Sequence, residues 1–126
     1  MFKTLIVEDN TVFRESLNEI LRTRFPAMAI AEAVDVKDAM EKIDSFKPDM
    51  VFMDVKLPDG NGLNVTRVIM ADHADTIVIV ITAFDVPEYR QAAFQAGASY
   101  FIPKDSLFGE EILSVVETVL NKQNYH

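Results

Sequence analysis

The sequence predicts an α/β protein built as one five-stranded, doubly wound parallel sheet with helices on both faces. Three observations carry that expectation. Short apolar runs alternate with segments of helical periodicity five times along the chain. The run Ile77-Val78-Ile79-Val80-Ile81 is uninterrupted by polar residues, so such a strand needs cover on both faces, as in a parallel sheet between helices. Strand-to-parallel-strand crossovers are right-handed almost without exception, and five such units close naturally into a doubly wound sheet.

The elements follow in order. Leu5-Ile6-Val7 reads as a buried strand, and Phe13, Leu17, Ile20 and Leu21 recur at helical spacing in a segment starting near Asn10. Met28-Ala29-Ile30-Ala31 is a weaker second strand. Asp35, with Asp38 three residues on, is placed to cap a helix carrying Ala39, Met40 and Ile43. Pro48-Asp49 introduces a third strand, Met50-Val51-Phe52-Met53, and the turn-rich Pro58-Asp59-Gly60-Asn61-Gly62 follows it. Val65, Val68 and Ile69 share one face of the next helix. Beyond the 77–81 strand, Asp85 and Glu88 are spaced as a capping box around Pro87, opening a helix over about 86–95. Gly97-Ala98 ends it, and Ser99 to Ile102 is the last strand. Ile112, Val115, Val116 and Val119 mark a closing amphipathic helix. No linker or repeat interrupts the pattern, so residues 1–126 are expected to form one domain, with 121–126 as a frayed tail.

Composition narrows the function. The chain has 126 residues, 49% apolar and 25% charged, which suits a compact globular domain. A net charge of −8 disfavours direct nucleic-acid binding. The absence of cysteine excludes disulfides, thiol catalysis and cysteine metal sites. No apolar run is long enough for a signal peptide or membrane helix, so a cytoplasmic protein without membrane contact is expected.

In a doubly wound sheet the functional crevice lies outside the carboxyl ends of the strands. Glu8 and Asp9 follow the first strand, Asp54 the third, Thr82 the fourth and Lys104 the fifth. Three carboxylates, a hydroxyl and an ammonium thus converge on one rim. Two carboxylates about 4 Å apart repel by roughly 4 kcal/mol at an effective dielectric near 20, so three together call for a divalent cation or shifted ionisation. Oxygen-only ligands select a hard ion, Mg²⁺ or Mn²⁺. Such a site suits bringing a phosphoryl group to a carboxylate nucleophile, with Lys104 and Thr82 on the phosphoryl oxygens. Dinucleotide binding is disfavoured, because no glycine fingerprint follows the first strand and acids there would repel a pyrophosphate. No G-x-S-x-G elbow is present either.

Glu8-Asp9, Val51-Phe52-Met53-Asp54 with Pro58 and Gly62, Ile81-Thr82-Ala83, and Gly97-Ala98 followed by Lys104 together resemble the receiver domains of two-component response regulators. The resemblance spans the chain from first strand to last helix. It implies a flavodoxin-like (βα)5 fold with strand order 2-1-3-4-5, and a phosphoacceptor role for Asp54. It further implies that Asp9, Asp54 and the backbone carbonyl of Lys56 ligate Mg²⁺, with Glu8 acting through a metal-bound water. Thr82 and Lys104 would contact the phosphoryl oxygens. The implied donor is a phosphohistidine on a sensor histidine kinase or phosphotransfer protein, or a small phosphodonor. The domain would assist only its own phosphorylation and dephosphorylation, and so is not expected to be an enzyme.

The same resemblance implies a switch in which Thr82 moves toward the phosphate and Phe101, three residues before Lys104, rotates inward. Tyr100 should face the other side of the sheet, since strand side chains alternate. The outer surface with Tyr89, Arg90 and Phe101 is the candidate partner face and a candidate homodimer contact. Lys104-Asp105 resembles receivers joined to helix-turn-helix output domains of the LuxR/NarL kind, although Ile102-Pro103-Lys104-Asp105 departs from the usual Lys-Pro. Phe84, two residues after Thr82, is placed to shield the phosphoryl group from water, and Lys56 adds positive charge beside the pocket. Two competing readings remain at this point: a phosphorylation-independent interaction module of the same fold, and an aspartyl-nucleophile phosphatase. The phosphatase normally requires a second aspartate where Lys56 stands.

Overall fold

The computed structural model describes residues 1–105 and 108–124. Five parallel strands form the main sheet: β1 (Lys3–Val7), β2 (Ala29–Ala33), β3 (Met50–Asp54), β6 (Ile77–Thr82) and β7 (Tyr100–Pro103). Their spatial order is β2-β1-β3-β6-β7, every neighbouring pair being parallel. Counted along the main sheet alone, this is the expected order 2-1-3-4-5. Helices α1 (Thr11–Arg24), α2 (Val36–Phe46), α3 (Gly62–Asp72), α4 (Pro87–Ala96) and α5 (Phe108–Asn124) connect and close it.

Strand alternation divides the core into two layers. Leu5, Val7, Val51, Met53, Val78 and Val80 point to one face, where they meet Ile43 of α2, Ile69 of α3 and Ala93 of α4. Ile6, Met50, Phe52, Ile79 and Ile81 point to the other, against Leu17 and Leu21 of α1 and Ile112, Val116 and Val119 of α5. Central strand β3 is buried along its whole length, which explains the unbroken apolar run Met50-Val51-Phe52-Met53 that precedes Asp54. Edge strand β2 is buried only at Ala33, and its signal in the sequence is correspondingly weak. It begins one residue later and ends two residues later than the expected Met28–Ala31.

Three local features differ from expectation. The segment after β3 is more than a turn, because β4 (Lys56–Leu57) and β5 (Gly60–Asn61) pair as a short antiparallel hairpin. The capping box at Asp85 and Glu88 does not form. Val86 is the N-cap, with no side-chain cap bond, and Asp85 approaches Arg90 at 3.4 Å instead. The reason is Pro87: the residue before a proline is forced into extended backbone, here Val86 at φ −120° and ψ 148°, which leaves Asp85 outside the helix. Finally, residues 121–124, expected in a frayed tail, belong to α5; the rest of that expectation, residues 125 and 126, lies outside the described residues.

Other caps form as expected or better. The Asp35 side chain accepts from the Asp38 N–H at 2.8 Å. Asp59, at the tip of the β4–β5 hairpin, accepts from the Val36 and Lys37 N–H groups at 2.7 and 3.1 Å, satisfying two first-turn donors of α2 that have no intrahelical partner. Those bonds hold the Asp59 carboxyl below its usual range. Gly97 closes α4 in the left-handed region at φ 109°, donating to the Ala93 and Phe94 carbonyls. Among the described residues no helix is long and apolar enough to cross a membrane.

Candidate functional site

Parallel register brings the carboxyl ends of the strands to one edge. Asp54 is the last residue of β3 and lies level with Ile81, one residue before Thr82 at the end of β6. Thr82 in turn pairs with Pro103, and the Lys104 N–H donates to the Thr82 carbonyl at 2.8 Å. That bond extends the strand path by one residue and delivers the Lys104 side chain to the same edge. Glu8 and Asp9 follow β1, where the Glu8 N–H donates to Ala33 of β2 at 3.0 Å. The five residues expected on one rim are all brought there.

The three acids form a cluster. One carboxylate oxygen each from Glu8, Asp9 and Asp54 lies within 4.8 Å of the others. Glu8 and Asp54 are buried, at 0% and 6% exposure, whereas Asp9 faces solvent. Buried carboxylates at this separation repel strongly. Lys104 offsets part of that repulsion: its Nζ makes an ion pair with Glu8 Oε1 and stands 3.4 Å from Asp54 Oδ2. The compensation is incomplete. Burial, and then the charge of Glu8, push the Asp54 carboxyl from 3.8 up to about 7, against the opposing pull of Lys104. All the donors are oxygens, so the cluster fits a hard divalent cation and not a soft one.

Local sequence fixes each member. The Glu8 Oε2 accepts from the Asn10 N–H at 3.0 Å, and the Asn10 side chain caps α1 by accepting from the Phe13 N–H at 2.9 Å. Behind Asp54, helix α3 begins at Gly62, whose N–H donates to the Val55 carbonyl at 2.8 Å. A methyl group on Gly62 would collide with the carbonyl group of Asp54 and lie 2.9 Å from the Met53 Cγ. Only glycine permits that approach. The Thr82 hydroxyl is buried and accepts from the Phe84 N–H at 3.0 Å.

The surrounding aromatic residues divide differently from expectation. Phe84 is 45% exposed, with the Lys56 ammonium 4.4 Å from its ring centroid and Tyr89 edge-on at 6.1 Å. Lys56 itself lies in β4, two residues beyond Asp54. Phe101, expected on the outer surface, is 5% exposed and packs into the core layer beneath α4. The Arg90 guanidinium sits over its ring at 4.7 Å. A large apolar ring gains more from burial than from display, so Arg90 and half-buried Tyr89 are what this face presents. Tyr100 packs on the opposite layer, as strand alternation requires.

Two contributors were not singled out in the sequence. Arg14 donates from Nη1 to the Glu8 carbonyl at 2.9 Å and from Nε to Glu32 at 2.9 Å, tying the acidic loop to β2. Nothing in the sequence signals it, since Glu32 is 18 positions away. Phe13 was legible only as an apolar helix position, yet the Lys104 Nζ stands 4.3 Å from its ring centroid.

Comparison with known proteins agrees with this geometry. Residues 4–117 match the family described as the response regulator receiver domain. The DNA-binding transcriptional activator DevR/DosR of Mycobacterium tuberculosis is 32% identical over 119 residues, covering 94% of this chain and 54% of that protein. The chain thus spans about half the length of such relatives. A LuxR-family two-component response regulator from Aurantimonas sp. SI85-9A1 superposes with a TM-score of 0.86 at 29% identity, covering 95% of this chain and 85% of that one. The BeF3-activated receiver domain of DrrB, a response regulator of Thermotoga maritima, gives a TM-score of 0.86 at 26% identity over 96% of this chain and 98% of that one. With the matched family reaching all five strands of the sheet and including every acid of the rim, the chain belongs to the receiver domains of response regulators, with LuxR/NarL-type relatives.

Proposed function

We propose that this domain is a cytoplasmic phosphorylation switch that accepts a phosphoryl group on Asp54 from a sensor histidine kinase, a phosphotransfer protein or a small phosphodonor. The observation that carries the reading is the convergence of Glu8, Asp9 and Asp54 within 4.8 Å, with Lys104 beside Asp54. Asp9, Asp54 and the Lys56 backbone carbonyl would hold Mg²⁺ directly, with Glu8 acting through a bound water. When bound, the ion supplies neutralisation of the acidic cluster and polarises phosphoryl oxygens.

The residues of the chain divide the remaining work. Asp54 supplies the nucleophilic oxygen: its bond to phosphorus forms as the donor's nitrogen–phosphorus bond breaks, leaving the histidine imidazole with the electron pair. Lys104 places a point positive charge on the transferred oxygens. The Thr82 hydroxyl, bonded to the Phe84 N–H on the strand that pairs with β3, is the group that would turn toward the new charge. Converting a two-state equilibrium from 1:99 to 99:1 takes about 5.5 kcal/mol of differential stabilisation. A doubly charged group with charge-assisted bonds to Thr82 and Lys104 is of that order.

The output is proposed to be transcriptional, through a partner or output domain engaged by the face around Arg90, Tyr89 and the underlying Phe101, with homodimerisation as one form of engagement. The DNA-binding activity named for the M. tuberculosis relative and the LuxR-family membership of the Aurantimonas protein support this. The domain itself contacts no nucleic acid and turns over no external substrate in this reading. Beryllofluoride, a phosphoryl mimic, is expected to bind only with Mg²⁺ and to alter the environment of Thr82 and Phe101 in NMR spectra. Spectra unchanged at saturating Mg²⁺ and beryllofluoride would favour the phosphorylation-independent module instead.

Phe84 sets a further expectation. Its exposed ring carries the Lys56 ammonium 4.4 Å from its centroid and its N–H binds the Thr82 hydroxyl, which supports a role in shielding the phosphoryl group from water. Phe84→Ala is expected to accelerate loss of phosphate from the phosphorylated protein several-fold, on the order of 1 kcal/mol in barrier. A dephosphorylation rate equal to or below that of the parent would refute the shielding role.

A further inference from the structure

We propose that Phe13 is a positioning residue for Lys104, its ring holding the lysine ammonium beside Asp54 when the acidic cluster is engaged by a cation. The inference rests on the phosphoacceptor reading above. It starts from a conflict of demand at Glu8. That buried carboxylate is the ion-pair partner of Lys104 and also a member of the acid trio. A divalent cation drawn to the trio competes with the ammonium for the same charge. Lys104 would then lose its strongest anchor at the step where its position matters, and its four-carbon stem has many other rotamers to visit.

Phe13 provides an anchor that the cation does not contest. The Lys104 Nζ lies 4.3 Å from the ring centroid, within the range of a cation–π contact, and the lysine side chain is only 15% exposed. Partial desolvation strengthens such a contact. The ring attracts the ammonium without taking a proton from it, and its uncharged face is a poor ligand for a hard divalent ion. The ring is also well placed by the chain. Asn10 binds the Glu8 carboxylate through its own N–H and the Phe13 N–H through its side chain. One short turn therefore sets the acid and the ring relative to each other, while the ring packs against the core layer under α1.

The test is a double-mutant cycle read by beryllofluoride affinity at saturating Mg²⁺, with Mg²⁺ affinity and thermal melting measured alongside. Phe13→Leu is expected to weaken beryllofluoride binding between about 2-fold and about 30-fold, while Phe13→Tyr, which keeps the ring, stays within about 2-fold of the parent. Mg²⁺ affinity should be unchanged in both. In a Lys104→Met background, Phe13→Leu should cause no further loss. An equal loss in that background would show that the ring acts through packing alone and overturn the proposal, as would full affinity in Phe13→Leu. If Lys104→Met itself binds beryllofluoride like the parent, the reading of the whole site fails, and that outcome is distinguishable from failure at Phe13.

Discussion

Asp54→Asn is expected to fold, to take up no phosphoryl group from acetyl phosphate, and to be more stable than the parent in metal-free buffer at neutral pH. The first two effects follow from removing the nucleophilic oxygen while keeping its shape. The third follows from linkage. The folded protein holds a proton on Asp54 up to about pH 7, whereas the ordinary value is 3.8. The native state therefore binds more protons than the unfolded chain in that interval, and stability falls as pH rises. The stabilising contribution is complete below about pH 4 and is lost through about pH 7. Asparagine carries no charge to desolvate, so the variant should lack that decline. With allowance for solvent screening at the rim, its advantage at pH 8 is on the order of 2 kcal/mol. Urea denaturation at pH 5 and pH 8, with chelator and with Mg²⁺, measures it. Adding Mg²⁺ should stabilise the parent more than the variant. A variant less stable than the parent at pH 8 without metal would contradict the electrostatic description of the site.

Gly62→Ala should damage the same site from behind. The added methyl would collide with the Asp54 carbonyl group and lie 2.9 Å from the Met53 Cγ. Its neighbours are the backbone of β3 and a core side chain, neither of which can swing aside. The strand end must shift or helix α3 must unwind at its first turn, at a cost of about 3 kcal/mol. Because the shift falls on Asp54 itself, phosphate uptake should drop at least tenfold even where the protein remains folded. Gly60, by contrast, meets only a side chain, at 3.1 Å from Val36 Cγ2, so Gly60→Ala is a suitable control with a smaller effect. Equal behaviour of the two variants would show that close approach at Asp54 is not what requires glycine.

Much of this architecture is legible in the residues, and what is not has identifiable physical causes. The β-branched run at 77–81 and the buried strand at 50–53 declare themselves because both faces are covered. The edge strand does not, because every side chain but Ala33 keeps some contact with solvent and its alternation is blurred by alanine. Asp35 caps its helix with Val36-Lys37 and no proline after it, while Asp85 fails because Pro87 dictates the backbone one residue earlier. The five rim residues could be placed from topology alone, since strand ends in a doubly wound sheet share an edge. The roles of Arg14 and Phe13 could not. Each depends on a contact with a residue distant in sequence, Glu32 for one and Lys104 for the other, and an apolar or charged helix position carries no mark of such a partner. Phe101 was legible as an aromatic on the last strand, but not its burial, which depends on how α4 lies across it.

Mass spectrometry of the protein treated with acetyl phosphate, with and without Mg²⁺, bears on the central electrostatic claim more directly than any other measurement. Peptide mapping of the product completes it. One phosphoryl group on Asp54, formed with Mg²⁺ and suppressed by chelator, is the expected result. Phosphate on another residue, or equal uptake in the presence of chelator, would contradict the claim that a cation-neutralised acidic cluster makes Asp54 the acceptor.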